Sequence, residues 1–417
     1  MPRIVLATFG SLGDLHPAIA LALALRARGH AVTLATSEPY RAKIAALGLP
    51  FRAMLPDVSP VDEAMVRRIM DGSRGSEYLM RELVFPAVRA MHADLAAIAA
   101  DADLLVTSEL VCAAPLLGEI SGRPWAFFSL SPISFFPIFD PPLLPGPPGT
   151  HFLQALGPTA NRLLFNAAKL VTHSWWAPVR QFRRELGLPP GRSPIFEGKF
   201  SPHLNLALFS PILQVPQPDW PARTVQTGFL FHDETESSPR LPAAVESFLA
   251  TGEPPIVFTL GSAAVSLARD FYVGSARAAQ QLGRRALLLI GKNAPPSNLP
   301  PSVLAWDYLP YAQVFPRAAA IVHQGGIGTT AQALRAGRPM VIVPFAHDQF
   351  DNAARITRLG AARTLSRSRY CSDSIAKTLD LLLTSPGVAA AAALGTRLRA
   401  ERGLERACEA LEHTLNA

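Results

Sequence analysis

Charge is what this chain has least of. Asp, Glu, Lys and Arg make up 17% of its 417 residues, against about 25% in an ordinary globular protein. Hydrophobic residues reach 49%, so the protein should expose, or only partly bury, more apolar surface than usual. The basic residues are scattered. No Lys/Arg block reads as a nucleic-acid patch, and no nucleic-acid partner is expected. The net charge of +7 favours anionic ligands and, peripherally, anionic membrane surfaces. Cysteine is scarce as well. Cys112, Cys371 and Cys408 are odd in number and far apart, which fits a reducing cytoplasm and no metal site. Long hydrophobic runs are missing too. No stretch of about 18 apolar residues lacks a breaker, so no membrane-spanning helix is expected. The most apolar segment, 125–144, is interrupted by Pro132, Pro137, Pro141 and Pro142. No secretory leader is expected either, because Met1-Pro2-Arg3 runs straight into a strand pattern. The expected location is the cytoplasm.

What is present is an alternation of short apolar runs with amphipathic segments, the pattern of an α/β protein. At this length two domains are expected. The first series has strands at 4–8, 31–35, 101–107, 125–129 and 205–209. A polar, turn-rich linker follows at 232–242. The second series has strands at 255–260, 286–290, 304–309, 320–322 and 340–343, with helices at 268–282 and 329–336. Alanine-rich helices close the chain near 388–413.

The stretch 321–352 organises the rest. A strand runs into His323 and the glycine turn Gly325-Gly326-Ile327-Gly328, and Thr329 opens a helix that Gly337 caps. A second strand ends at Pro344 and delivers the loop Phe345-Ala346-His347-Asp348-Gln349. Glycines let backbone N–H groups approach a ligand closely, and the following helix N-terminus carries partial positive charge, which suits a phosphate. His323 and Thr329 can add side-chain donors to the same anion. An acid and an amide side by side, Asp348 and Gln349, suit sugar hydroxyls better than phosphate. Near the other end of the chain, the first strand leads into Gly10-Ser11-Leu12-Gly13-Asp14-Leu15-His16-Pro17. This is a Rossmann-like βαβ start without the dinucleotide fingerprint.

These residues resemble two signatures of the family 1 glycosyltransferases. His323, Gly325, Gly328-Thr329, Gly337, Pro339, Pro344, Asp348-Gln349 and Asn352 match the donor-binding signature. Gly10 to Pro17 matches the G-S-x-G-D-x-x-P loop of the bacterial and sterol-type members. The resemblance implies the GT-B fold: two Rossmann-like domains facing across a cleft, with boundaries expected at 1–231 and 243–390, and a C-terminal helix, 391–417, returning to the first domain. It implies an inverting glycosyltransferase that uses a UDP- or dTDP-linked sugar and needs no metal or other cofactor. Gly325, Gly326, Gly328, Thr329, His323, Gly261 and Ser262 would hold the diphosphate, with Ser11 and Gly13 in the donor-contacting set. Asp348 and Gln349 would meet the sugar, with His347 in the same donor-binding set. Tyr308, or else Trp306, would stack on the base.

Many plant members have a catalytic histidine where Asp14 stands, so Asp14 is the candidate base and His16 the alternative; Asp14 could also be only a helix cap. The aspartate that orients that histidine is replaced here by Ser108-Glu109. Asp101 and Asp103 spell a D-x-D, but they precede a strand and read as solvated loop residues. The Phe/Pro-rich stretch after 129 reads either as the wall of an apolar acceptor site, with Phe135, Phe136 and Phe139, or as a satellite cluster under a loop. Within the family the loops are most like those of the rhamnosyltransferases of rhamnolipid synthesis, whose acceptors are hydroxy-fatty-acid esters; flat polycyclic phenols are the other acceptor class expected. Plant UDP-sugar enzymes carry a ribose-gripping glutamate where this chain has Ala331, a loss that costs less with a deoxythymidine donor, though sterol-type UDP-glucose enzymes lack the glutamate too. A nucleotide-sugar epimerase of the same fold, or a non-catalytic lipid-binding protein, would share parts of this pattern. Either a monomer or a homodimer fits.

Overall fold

The structure is a computed structural model that describes residues 1–57, 62–144, 155–233 and 241–416. The continuation of the proline-rich stretch beyond 144 and most of the expected linker lie outside the described residues. The chain forms two compact units: Met1–Val61, Ser73–His232 and Arg402–Ala417 make the first, and Asp62–Gly72 with Asp233–Glu401 make the second.

The first unit is built on a seven-stranded, all-parallel sheet. Its strands are β1 (Arg3–Ala7), β2 (Ala31–Thr36), β3 (Phe51–Ala53), β4 (Leu104–Ser108), β5 (Trp125–Ser129), β6 (Leu204–Ala207) and β7 (Thr224–Gln226), in the order β3-β2-β1-β4-β5-β6-β7. Near-continuous apolar runs make such strands, because both faces are covered. Side chains alternate across the sheet. Ile4 and Leu6 therefore join one core layer with Leu21, Leu34 and Leu104, while Val5 and Ala7 join another with Leu105, Met91 and Phe127. The first layer is completed by Ala407, Cys408 and Leu411 of the last helix, Gly403–Leu415. That helix is also tied by Glu412, which accepts two hydrogen bonds from Arg28 at 2.8 and 2.7 Å and contacts His30 at 3.1 Å. Gly403 has no room for a side chain, since a Cβ there would sit 2.4 Å from the Phe229 carbonyl.

The second unit has six parallel strands: β8 (Ile256–Thr259), β9 (Ala286–Leu289), β10 (Val303–Trp306), β11 (Ala320–His323), β12 (Met340–Ile342) and β13 (Ala362–Thr364), ordered β10-β9-β8-β11-β12-β13. Its boundaries differ from those expected. Residues 62–72, from the N-terminal half of the sequence, belong here: Asp62 caps the helix Glu63–Ile69, and Met70 is buried in this unit's core. The helix Gly387–Arg399 also stays with this unit, so the change of unit comes at 402 and not 391. Gly395 explains why, because a Cβ there would sit 2.6 Å from the Gly337 Cα. Only glycine lets the two backbones lie that close.

In both sheets the strand order reverses once, between β1 and β4 and between β8 and β11. Ligands of open α/β sheets bind beyond the carboxyl ends of the strands at such a switch point. Both sequence signatures sit there.

Candidate active site

In the first unit the loop after β1 is shaped around Asp14. Ser11 caps the helix Leu12–Ala27 by accepting from the Gly13 N–H at 3.2 Å. The carboxylate of Asp14 accepts in return from the Ser11 backbone N–H at 2.8 Å and from the Ser11 hydroxyl at 3.2 Å. This is a capping box. Gly10 makes it possible: its φ is 128°, and a Cβ there would lie 2.2 Å from the Asp14 carboxylate. Tyr40 donates to the Gly10 carbonyl at 2.9 Å and steadies the turn. Burial pushes the Asp14 carboxyl up to about 6, against the pull of the two Ser11 hydrogen bonds, and the nearby charge of Glu109 pushes the same way as burial. Such a carboxyl is mostly ionised at neutral pH, yet it is a stronger base than an exposed one. Capping and basicity thus coexist in one residue. His16 lies half-buried two residues on, its ring edge-on to His232 at 5.6 Å.

Glu109, directly after β4, is engaged by two residues that sequence reading did not single out. The Lys199 ammonium pairs with one carboxylate oxygen and the Ser134 hydroxyl donates to the other. Neither lies near Glu109 in sequence, so no local pattern could have found them. Of the three phenylalanines expected to line an acceptor site, Phe135 is buried in a stack with Trp220 at 4.7 Å and Phe200 at 5.6 Å. It belongs to the satellite cluster, and its faces are used within the protein. Phe136 is half-buried and Phe139 is 50% exposed. The D-x-D acids serve the start of β1: Asp103 accepts from the Arg3 N–H at 2.7 Å, and Asp101 lies 3.4 Å from the Arg3 guanidinium.

In the second unit His323 ends β11 fully buried. Its Nδ1 accepts from the Gly325 N–H at 3.0 Å. The one proton of the neutral ring therefore sits on Nε2, and that buried atom has no hydrogen-bond partner. Burial holds the ring neutral by pushing its pKa down to about 3. A neutral imidazole N–H is thus held beside the glycine turn. Gly325 has φ 91°, and a Cβ would meet Ile342 at 2.8 Å and the Gln349 carbonyl at 3.0 Å. Gly326 is the N-cap residue of the nine-residue helix Ile327–Arg335, which places Gly328 and the buried Thr329 in its first turn. The Asn352 side chain donates to the Gly325 carbonyl at 2.9 Å and to the Asp348 carboxylate at 2.8 Å, so it joins the two loops.

Gln349 is also occupied in part. Its side-chain oxygen accepts from the N–H groups of Phe345 at 2.8 Å and Ala346 at 3.2 Å, and the residue is buried. Asp348 is half-buried as the N-cap residue of the helix Gln349–Arg358. His347 adopts φ 55°; burial lowers its pKa, and the Ile69 carbonyl, from the 62–72 segment, supports its ring. After β8, Gly261 has φ 62°, and a Cβ would sit 2.3 Å from the Gln324 amide nitrogen. Gln324 is 3% exposed, and its side-chain oxygen has no partner. Ser262 is exposed beside it. Tyr311, another residue the sequence did not flag, meets the Thr259 hydroxyl at 2.9 Å and also Thr329, while Thr259 accepts from the Gly261 N–H at 3.2 Å. Tyr308 is 49% exposed and Trp306 half-buried.

Residues 4–115 match the family model "Glycosyltransferase family 28 N-terminal domain". Residues 288–407 match "Erythromycin biosynthesis protein CIII-like, C-terminal domain". The O-mycaminosyltylonolide 6-deoxyallosyltransferase of Streptomyces fradiae is 36% identical, over 98% of this chain and 97% of that one. The chain belongs to the family 1 glycosyltransferases of the GT-B fold. Glycosyltransferase GtfE of Amycolatopsis orientalis is 29% identical over 96% of this chain and 92% of its own. Among solved structures, the kitacinnamycin glycosyltransferase covers all of both chains with a TM-score of 0.76 at 21% identity. The spinosyn rhamnosyltransferase SpnG, solved with thymidine diphosphate, covers 98% of this glycosyltransferase and 100% of its own chain with a TM-score of 0.72 at 19% identity. The enzyme is a nucleotide-sugar-dependent glycosyltransferase. Among the described residues, no single helix is long and apolar enough to cross a membrane.

Proposed function

We propose that this glycosyltransferase moves a deoxysugar from a deoxythymidine-diphosphate donor to a hydroxyl of a large, apolar natural product, with inversion and without a metal. Asp14 takes the proton of the acceptor hydroxyl, which attacks the anomeric carbon in line. The leaving diphosphate is met by the backbone N–H groups of Gly326 to Gly328, the helix N-terminus, Thr329 and His323. The observation that carries this reading is His323: a buried, neutral N–H donor with no protein partner, beside a glycine turn at a helix N-terminus. It costs stability unless a ligand satisfies it. Asp348 and Gln349 are assigned to the sugar, and Tyr308 to the base.

The donor assignment draws on Ala331, in place of a ribose-gripping glutamate, on the 6-deoxyallosyl donor in the relative's name, and on thymidine diphosphate in a solved neighbour. The acceptor assignment draws on the same relative, whose named acceptor is a glycosylated tylonolide, and on Phe136 and Phe139, which keep exposed surface. It favours a polycyclic or macrocyclic acceptor over a hydroxy-fatty acid. The test is a thermal-shift panel of nucleoside diphosphates, followed by mass-spectrometric screening of acceptors with the best donor. Stabilisation by thymidine diphosphate, and transfer to apolar polycyclic alcohols but not to free sugars, is the expected result. Stabilisation by no nucleoside diphosphate would overturn the reading.

A further inference from the structure

Lys199 is 4% exposed, a rare state for a lysine. Its ammonium lies 5.4 Å from the Phe136 ring centre and 5.6 Å from that of Phe200, between aromatic faces that attract a cation. Its ionic partner is Glu109, whose other carboxylate oxygen accepts from Ser134. Ser134 lies in the short helical turn Pro132–Phe135, which follows β5, and the next residue, Phe136, is held at φ 46°. A non-glycine residue rests in that region only when its surroundings hold it there. Here the Phe136 ring is gripped by Phe196 at 4.7 Å and Phe165 at 5.7 Å. One carboxylate, at the end of β4, thus joins a buried cation to the segment that carries Phe136. Because β4 is the neighbour of β1 at the switch point, that carboxylate is also close enough to Asp14 to act on its charge.

We propose that Lys199 is a positioning residue for glycosyl transfer that acts through Glu109: it fixes the Glu109 carboxylate between the base loop and the segment Pro132–Phe136, and offsets the negative charge that Asp14 feels. This rests on the reading of Asp14 as the base. The groups facing Asp14 are Ser11 on its own loop, Glu109 on the β4 end and Tyr40, whose own ionisation is pushed up to about 12 by burial and by Asp14. His16 and His232 lie further along the same loop and on the segment after β7. Lys199 stands behind Glu109, where burial lowers its pKa and the charges of Glu109 and Glu197 raise it. Removing the lysine leaves Glu109 uncompensated, which makes Asp14 harder to ionise. Removing the Glu109 charge does the reverse. The same strut holds Phe136, so its loss should loosen the acceptor and not the donor.

The experiment is the pH profile of kcat/KM for wild type, Lys199→Met, Glu109→Gln and the double variant, with acceptor and donor KM measured separately. The acid limb should move up in Lys199→Met, so that activity at pH 5 falls about threefold further than at pH 8. In Glu109→Gln it should move down. In the double variant, which buries no unpaired charge, it should lie between Glu109→Gln and wild type. Acceptor KM should rise in Lys199→Met with donor KM unchanged. An acid limb at the wild-type position in the variants that fold would overturn the proposal, and the double variant alone suffices if Lys199→Met does not fold. Asp14→Asn separates the two readings. If it is inactive while the Lys199 and Glu109 profiles do not move, this inference fails and the base stands. If it retains activity and an acid limb, the base reading itself fails.

Discussion

The two switch points share one topology and carry opposite chemistry. At the first, the loops after β1 and β4 deliver carboxylates, Asp14 and Glu109, and hydrogen bonds keep Asp14 ionisable. At the second, the loops after β8 and β11 deliver backbone N–H groups, amides, hydroxyls and a histidine that burial keeps neutral. The same strand order has been loaded with a proton acceptor in one unit and with donors in the other. That difference suits a reaction in which a hydroxyl loses a proton and a diphosphate gains negative charge. Fold alone cannot supply it, because function lies in the side chains grafted on.

Breaking the first switch point should have the largest effect. Asp14→Asn keeps a side-chain oxygen that can accept from the Ser11 N–H in the capping box, and it should lower turnover on alcohol acceptors by ~10²–10⁴. A near-normal rate in this variant, with His16→Ala inactive, would move the base to His16. Wild-type activity should climb as pH rises through about 6, because the base must be ionised. The stability effect has the opposite sign. A carboxyl raised from 3.8 to about 6 by folding favours the native state most at low pH, and that contribution is lost as pH rises between those values. At pH 7 Asp14→Asn should therefore leave the melting temperature unchanged or raise it, which calorimetry would check.

The second switch point should respond in binding. His323→Ala removes the unpartnered donor, and a hydrogen bond to a charged group contributes about 1.5–3 kcal/mol. Affinity for thymidine diphosphate should fall about tenfold or more by calorimetric titration, with no change in the acid limb of the rate. Unchanged affinity in a folded variant would remove His323 from the diphosphate. Asp348→Ala should spare nucleoside diphosphate binding and weaken turnover of the nucleotide sugar. Gln349→Ala is a less clean probe, because the Gln349 side-chain oxygen also holds the N–H groups of Phe345 and Ala346. Its melting temperature should drop as well.

How much of this was legible in the sequence follows the same division. The donor signature is local: His323, the glycines, Thr329 and the Asp348-Gln349 pair lie within thirty residues, so strand–turn–helix spacing was enough to group them. The loop around Asp14 was legible for the same reason. What stayed hidden is what the sheet order brings together from far apart. Lys199 and Ser134 reach Glu109 across 90 and 25 residues, and Tyr311 reaches Thr259 across 52. The 62–72 segment reads as an ordinary mixed-charge helix of the first domain, and only Met70, Val66 and Ile69 in the second core place it elsewhere. The sequence leaves Phe135 between acceptor wall and satellite cluster, because aromatic content signals burial and ligand contact alike. The Trp220 stack settles which applies to it.

The smallest expected effect tests whether the second switch point is braced from within. The Tyr311 hydroxyl meets Thr259 at the end of β8 and Thr329 at the start of the helix after β11. Its ring is stacked on Phe315 at 4.3 Å, so the side chain is fixed apart from its oxygen. Tyr311→Phe keeps that stack and deletes only the hydroxyl. A neutral hydrogen bond contributes about 0.5–1.5 kcal/mol. Thr259 keeps its bond from the Gly261 N–H, so it is not left bare. The loss should appear mainly as a few-fold weaker grip on thymidine diphosphate, because the two donor turns are no longer held at one spacing, with only a small fall in melting temperature. In Tyr311→Phe/His323→Ala the two losses should combine to less than their sum, since both act on the same diphosphate and close neighbours couple. Strict additivity in the titrations would mean that Tyr311 stabilises the unit without shaping the anion site.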